Sequence, residues 1–82
     1  MFYSYVVRSI NFPVFYKGHC ENLDERLKQH NSGKTKSIRM YIPFELVYKE
    51  EFQTRSDAIQ REKYFKSAAG RRFLKLKLAG KV

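Results

Sequence analysis

Two short segments near the start of the chain favour a β-hairpin and limit what can follow it. Residues 2–9, FYSYVVRS, and residues 14–18, VFYKG, are rich in the aromatic and β-branched side chains that favour strands. The four residues between them, INFP, include Asn11 and Pro13, which are typical of turns. We therefore expect two neighbouring antiparallel strands at the start of a small domain.

Four further segments complete the predicted order. They are a helix at residues 22–31, a strand at 44–52, and helices at 54–67 and 68–80; a basic loop at 32–43 connects the first helix to the strand. Asn22 with Glu25 forms a capping-box pattern, and Gly33 ends that helix. Thr54 or Ser56 is the expected N-cap of the next helix. The order β-β-α-β-α-α indicates an α+β fold, a small three-stranded, largely antiparallel sheet flanked by helices, in a single domain over residues 1–82.

The charge of the chain favours an anionic partner. Seventeen Lys and Arg against eight Asp and Glu give a formal charge of +9 over 82 residues. Nucleic acid is favoured over an anionic membrane, because no apolar run reaches the roughly 18 residues that a membrane helix needs. Since no signal-peptide pattern is present and the single cysteine, Cys20, has no partner for a disulfide, we expect a cytoplasmic protein. A cysteine without a functional role is favoured for Cys20 over a thiol nucleophile or metal ligand beside His19.

The first predicted helix carries a histidine and an arginine near its leucines. At about 100° per residue from Leu23, Leu27 lies about 40° to one side, His30 about 20° to the other, and Arg26 about 60° away on the histidine side. A solvated helix normally places its charges opposite its leucines. The pattern therefore favours a site that includes Arg26 and His30.

The second predicted helix has a carboxylate in its apolar stripe. Ala58, Ile59 and Phe65 form this stripe, and Glu62 lies three or four residues from each of them. A buried carboxylate is costly unless a cation, a metal ion or hydrogen bonds compensate it. The alternative is an ordinary surface ion pair with Lys66, one turn further on.

The strand tyrosines are the remaining candidates. Tyr3, Tyr5 and Val7 share one face of the first strand, and Val14, Tyr16 and Gly18 share one face of the second. Packing is the usual role of tyrosines in strands. Gly18 would allow the next backbone or a ligand to approach closely.

Together these residues resemble the GIY-YIG nucleases, in particular the short single-domain bacterial members. YSY at 3–5 and YKG at 16–18 stand at the two signature triplets, and the R-x-x-x-H and A-x-x-x-E-x-x-x-K helices follow. The similarity spans about residues 2–75. Departures from the family pattern are Tyr3, Ser4 and Lys17 within the triplets, and the lack of an asparagine after the metal-binding helix.

The resemblance implies a role for each matching residue. Tyr5 and Tyr16 would be the signature tyrosines, Arg26 would grip the scissile phosphate, and Glu62 would bind one Mg²⁺ or Mn²⁺. Either tyrosine could take the proton of the attacking water; Tyr5 is slightly favoured, with His30 as its hydrogen-bond partner. Basic residues would bind DNA phosphates beyond the scissile one, or serve only as solubilising charges: Lys34, Lys36, Arg39, Lys66, Arg71 and Arg72.

Three functions are therefore weighed. The leading hypothesis is a divalent-metal-dependent endonuclease that cuts DNA, either non-specifically or selecting branched or flapped DNA, and that acts alone, with a protein partner or as a homodimer. The second hypothesis is a non-catalytic nucleic-acid-binding module with the same fold. The third hypothesis is a basic protein-interaction module.

Overall fold

A computed structural model describes residues 1–79, and its elements follow the predicted order. They are β1 (Phe2–Ser9), β2 (Phe15–Cys20), α1 (Leu23–Asn31), a short 3-10 helix (Lys36–Tyr41), β3 (Phe44–Phe52), α2 (Arg55–Lys66) and α3 (Ala68–Lys77). The α+β class and the β-β-α-β-α-α order are confirmed.

The sheet has three antiparallel strands in the order β2-β1-β3. In the central strand β1, Tyr5 pairs with Gly18 of β2 on one side and with Lys49 of β3 on the other. Residues 4–7 of β1 are all buried, because helices cover both faces of the sheet at this strand. The outer strand β2 has one edge without a strand partner among the described residues, and the polar cavity described below lies beside it.

Each face of the sheet has its own apolar core. On the first face, Tyr5 and Val7 pack with Ile38 of the 3-10 helix and with Phe44, and α1 covers them. On the second face, the core is formed by residues of β1, β3, α2 and α3: Val6, Val47, Phe65, Leu74 and Leu78. Because β1 contributes alternate residues to both cores, it fixes the positions of α1 and α2 relative to each other.

Side-chain caps begin the three α-helices. Asn22 Oδ1 accepts from the backbone N–H of Glu25 at 3.1 Å, and Thr54 Oγ1 accepts from that of Asp57 at 3.1 Å. Asn22 is confirmed as N-cap, and Thr54 rather than Ser56 caps α2. At the corner between α2 and α3, a Cβ on Gly70 would lie in the space of the Tyr64 carbonyl, so a residue with a side chain does not fit there.

Two boundaries differ from the prediction. The second strand was expected at residues 14–18, but β2 runs from Phe15 to Cys20. The reason is that its pairing with β1 continues as far as Tyr3, near the start of β1, which faces Cys20. The description of residues 32–43 as a loop is wrong for Lys36–Tyr41, which form the 3-10 helix. This helix buries Ile38 in the first core, and so short a helix leaves no clear periodicity in the sequence.

The third predicted helix ended at residue 80. The described part of α3 ends at Lys77, and residue 80 lies outside the described residues. Within residues 1–79, none of the helices is both long and apolar enough to cross a membrane.

Candidate active site

An open cavity of about 760 Å³ lies beside β2, where α1 and α2 approach from the two faces of the sheet. Its wall combines Tyr16, Gly18 and His19 of β2 with Arg26 and Gln29 of α1 and with Arg55 and Glu62 of α2. The fold thus brings together three of the predicted site residues, Tyr16, Arg26 and Glu62. The other two, Tyr5 and His30, do not line the cavity.

Tyr5 and His30 form a buried hydrogen-bonded pair in the first core. The Tyr5 hydroxyl lies 2.7 Å from His30 Nε2, and His30 Nδ1 lies 3.1 Å from Thr35 Oγ1. Burial and then the charge of Arg26 lower the pKa of His30, which favours the neutral ring. Arg26 Nε donates to the Tyr5 oxygen at 3.3 Å. We therefore infer that the Tyr5 hydroxyl donates its own hydrogen to His30 Nε2, and that the neutral ring carries its proton on Nδ1. The expected Tyr5–His30 contact is therefore present.

Gly18 makes room for this pair. A Cβ atom built on Gly18 would lie 2.6 Å from the Tyr5 hydroxyl oxygen and 2.8 Å from Cζ. Tyr5 and Gly18 face each other across the β1–β2 pair, so the ring of Tyr5 lies over the glycine backbone. The sequence suggested the close approach of a backbone or a ligand at Gly18, and the structure instead places the side chain of Tyr5 there.

The two signature tyrosines have different surroundings. Tyr5 is 1% exposed, and burial raises its pKa to about 12 despite the opposing hydrogen bond and charge of Arg26. Tyr16 is half-buried and lines the cavity, with its ring edge-on to His30 at a centroid distance of 4.9 Å. A solute in the cavity can therefore meet Tyr16 but not Tyr5.

Two contacts hold the guanidinium of Arg26 at the cavity wall. Its Nε donates to the Tyr5 hydroxyl at 3.3 Å, and its Nη1 donates to Gln29 Oε1 at 3.2 Å. The hydrogen bond with Tyr5 is the main reason that the pKa of Arg26 lies above its ordinary value. A charged, forked donor held in this way suits a phosphate group.

Glu62 is compensated by two neighbours. Its carboxylate is 16% exposed; Oε1 lies 2.6 Å from His19 Nδ1, and Oε2 accepts from Lys66 Nζ at 2.8 Å. Burial alone would raise the pKa of Glu62, but the hydrogen bonds from Lys66 and His19 outweigh it and lower the pKa. The prediction that the Glu62 carboxylate needs a compensating partner is confirmed. The helix ion pair with Lys66, which was the alternative interpretation, supplies one of the two partners.

The oxygen donors at Glu62 fit a cation that the substrate helps to hold. No group of three or more His, Cys, Asp or Glu residues in the described part of the chain is arranged to bind a metal ion by itself. Mg²⁺ commonly binds through one or two carboxylates, keeps several waters, and takes its remaining ligands from substrate phosphates. Glu62 supplies one such carboxylate at the cavity wall.

Comparison with known proteins agrees with this geometry. The sequence pattern of the GIY-YIG catalytic domain matches residues 1–75. The chain belongs to the GIY-YIG family. Its curated relatives are UPF0213 proteins, a small group within the GIY-YIG family.

Three of these relatives show the extent of the similarity. A UPF0213 protein of Bacillus licheniformis is 43% identical over 65 residues, which are 78% of this chain and 66% of that protein. One from Staphylococcus saprophyticus is 33% identical over 90% of both chains, and one from Oceanobacillus iheyensis is 39% identical over 93% of this chain and 86% of its own length. No solved structure matches.

The basic residues predicted to bind nucleic acid lie outside the cavity wall of this GIY-YIG domain. Lys34, Lys36 and Arg39 are exposed on the segment after α1, and Arg71 and Arg72 are exposed on α3. Lys66 is also exposed, and it forms an ion pair with Glu62, which lines the cavity. Phosphate binding by these residues stays a prediction.

Sequence reasoning missed His19 as a site residue. The predicted strand stopped at Gly18, whereas β2 continues to Cys20 and directs His19 to the α2 side, where Glu62 lies. Strand alternation from Lys17 would have found His19 if the strand had been extended by two residues. Gln29 and Arg55 were also missed, and no signal in the sequence separates them from other surface residues.

Cys20 lines the cavity, but its surroundings do not activate its thiol. It is buried among the first core, and burial raises the pKa of its thiol, although Arg26 opposes this. A buried thiol with a raised pKa is a poor nucleophile, which fits a cysteine without a chemical role.

Proposed function

We propose that this GIY-YIG protein is a divalent-metal-dependent endonuclease that hydrolyses phosphodiester bonds in DNA. The observation that carries the proposal is the meeting of Tyr16, Arg26 and Glu62 at one open cavity, each from a different element. A phenol, a guanidinium and a carboxylate are the groups that orient water, bind phosphate and hold a cation. The size and openness of the cavity leave room for a phosphate and its neighbouring sugars.

Arg26 would bind the scissile phosphate. Its Nε and Nη1 are fixed by Tyr5 and Gln29, so the guanidinium enters the reaction already oriented. Preorganised positive charge stabilises the negative charge that develops on the phosphate oxygens during attack. Tyr5 and His30 serve this step from the core by holding Arg26, and they do not contact DNA.

Tyr16 would face the attacking water. The water oxygen bonds to phosphorus, and the bond from phosphorus to the leaving sugar oxygen breaks. Tyr16 would enter this step as a phenolate, take the water proton and end as the neutral phenol, while the leaving sugar oxygen takes a proton from solvent. The Arg26 guanidinium lines the same cavity and supplies the positive charge that such a step needs. We assign this role to Tyr16 in preference to Tyr5, because only Tyr16 lines the cavity and the pKa of Tyr5 is raised to about 12.

Glu62 would hold Mg²⁺ or Mn²⁺ together with phosphate oxygens of the substrate. When bound, the ion supplies positive charge for the developing phosphorane and the leaving oxygen. His19 would keep the Glu62 carboxylate turned toward the cavity, since ligating carboxylates are normally held by a further hydrogen bond. The Lys66 ammonium neutralises Glu62 in the absence of an ion.

One observation favours a second function, a DNA-binding module without catalysis. Both Glu62 oxygens already have a hydrogen-bond partner, His19 or Lys66, so an ion has to displace or share these contacts. In that case Arg26 would bind a phosphate in the cavity, the exposed basic residues would bind further phosphates, and binding would weaken with salt.

The test is cleavage of labelled duplex, flap and branched DNA with Mg²⁺ or Mn²⁺, for the wild type and for Glu62→Gln. We expect cutting by the wild type and no cutting by Glu62→Gln. The DNA form that the wild type cuts best would show whether the enzyme is structure-selective. Glu51→Gln is the matched control, because Glu51 is exposed on β3 and does not line the cavity. Metal-dependent cutting by Glu62→Gln at the wild-type rate would overturn the assignment of Glu62. Salt-sensitive binding without cutting by any variant would favour the binding module.

A further inference from the structure

A second, smaller groove lies on the opposite side of Lys17 from Glu62. It has a volume of about 190 Å³ and an apolar floor that includes Phe15, Leu74 and Leu78. Three cationic side chains surround this floor: Lys17, Arg71 and Lys75. We refer to these six residues as the basic groove. Neither the proposed chemistry nor the predicted phosphate contacts account for its apolar floor.

The positive charges at the basic groove are close enough to affect one another. The pKa of Lys17 is lowered by burial first, and then by the charges of Arg71 and Lys66. Lys66 in turn forms the ion pair with Glu62. A continuous set of cations thus runs from the cavity to the groove. Clustered like charges repel one another, so an anion that bridges them would be bound favourably.

β2 connects the two places. One face of this strand carries every second residue, with about 6.8 Å between successive ones: Phe15, Lys17 and His19. His19 contacts Glu62 at the cavity end, and Phe15 lies at the groove end, about 14 Å away by the same strand rise. A single polymer with regularly spaced negative charges can therefore follow this face of β2 from the cavity to the groove.

The exposed ring of Phe15 indicates what the apolar floor binds. The Phe15 side chain remains 39% exposed although it borders the groove. An aromatic face beside basic side chains is the usual combination for single-stranded nucleic acid, since bases stack on the ring while cations bind the phosphates. Bases in a duplex are already stacked and paired and cannot enter such a groove.

We propose that the basic groove binds an unpaired nucleotide on one side of the scissile phosphate, with its base against Phe15 and its phosphates at Lys17, Arg71 and Lys75. This inference rests on the proposed function, because it takes DNA as the substrate of the neighbouring cavity. It adds the substrate class, which is DNA with a single-stranded flank at the cut, as in a flap or a branch.

The test measures binding without cleavage. The protein carries Glu62→Gln and is kept in EDTA, and the DNA is a hairpin with a four-nucleotide unpaired flank. A fluorescent adenine analogue, 2-aminopurine, occupies one flank position at a time, on either the 3′ or the 5′ end. We expect its fluorescence to be quenched on binding at one or two positions of one flank, because stacking on an aromatic ring quenches it.

Phe15→Leu keeps an apolar side chain and removes the ring. We expect it to abolish this quenching and to weaken binding of the flanked hairpin roughly fivefold or more, while binding of a blunt hairpin changes less than about twofold. Phe12→Leu is the matched control, since Phe12 is a similarly exposed phenylalanine outside the groove. Equal effects of Phe12→Leu and Phe15→Leu would overturn the proposal.

Lys17→Gln tests the phosphate contacts. Loss of one contact to a single strand should reduce the slope of log affinity against log salt by about 0.7 for the flanked hairpin. Lys28→Gln, at an exposed position on α1, should leave that slope unchanged. An unchanged slope in Lys17→Gln would count against the groove as a phosphate site.

The two proposals fail in distinguishable ways. Quenching that depends on Phe15, in a protein that never cuts DNA, supports the groove and contradicts the endonuclease. Cutting that is insensitive to Phe15 and to the flank supports the endonuclease and contradicts the groove. If instead Phe15→Leu reduces binding only to vesicles of phosphatidylserine and phosphatidylcholine, the groove serves an anionic membrane surface and the proposal is wrong.

Discussion

The Tyr5 hydroxyl lies 2.7 Å from Nε2 of His30 in the first core, and the same oxygen accepts a hydrogen bond from Arg26. Arg26, which lines the cavity, is therefore positioned by Tyr5 and His30, which do not line it. Substitutions of Tyr5 and Tyr16 should separate structural support from chemistry.

We expect Tyr5→Phe to lower the free energy of unfolding by about 1–3 kcal/mol, because it leaves the buried Nε2 of His30 without a partner. Urea unfolding at neutral pH measures this. Tyr16→Phe is the comparison: Tyr16 is half-buried and has no such role, so its stability should change by less than about 0.5 kcal/mol. A Tyr5→Phe protein as stable as the wild type would contradict the supporting role.

Tyr16→Phe should affect the cleavage rate rather than the stability. If Tyr16 takes the water proton, Tyr16→Phe should lower the cleavage rate by about 100-fold or more at unchanged stability. Single-turnover cleavage with saturating protein measures the chemical step. A Tyr16→Phe protein that cuts at the wild-type rate would remove Tyr16 from the mechanism.

Gly18→Ala should destabilise the protein by about 1–3 kcal/mol, because the added methyl group overlaps the Tyr5 hydroxyl and ring. The same substitution combined with Tyr5→Leu provides the control, since the shorter side chain removes the overlap. We expect the cost of Gly18→Ala to be smaller in that background, which thermal or urea unfolding of the four proteins would show. Additive effects would mean that the two residues do not interact.

His19→Gln should weaken metal binding without unfolding the protein. If His19 orients Glu62, the variant should bind Mn²⁺ about tenfold more weakly, as measured by Mn²⁺ paramagnetic resonance in the presence of DNA whose phosphates resist hydrolysis. Lys66→Gln is the control, because it also removes a hydrogen bond to Glu62 but takes away a positive charge that opposes the ion. Weaker Mn²⁺ binding in Lys66→Gln but not in His19→Gln would reverse the assignment.

Stability should fall in mild acid because of His30. Burial and the charge of Arg26 lower its pKa in the folded protein, while the unfolded chain has the ordinary value of about 6.5. Below about pH 6.5 the unfolded state thus binds more protons, and the free energy of unfolding decreases as the pH falls toward the folded pKa. Urea unfolding between about pH 7.5 and about pH 5.5 should show a steeper loss for the wild type than for His30→Gln. Parallel curves would contradict a neutral buried His30.

Local patterns in the sequence determined most of the fold. Alternating aromatic and β-branched residues located β1 and β3, and the capping side chain of Asn22 located the start of α1. For α2 the sequence offered Thr54 or Ser56 as the cap, and the structure has Thr54. These features depend on residues within a few positions of one another, and so the sequence alone predicts them. The helical period likewise placed His30 on the packing face and Arg26 at its edge, where the structure has them.

Tertiary structure alone decided the contacts between elements. Pairing with β1 extends β2 to Cys20 and brings His19 to Glu62, 43 residues away in the chain. Burial of Ile38 produces the 3-10 helix, and the central position of β1 places Tyr5 in the core while Tyr16, on the outer strand, faces the cavity. Pairing, burial and exposure depend on residues distant in sequence. The chemical groups of the site could therefore be named from the sequence, whereas the division between supporting and cavity-lining groups could not.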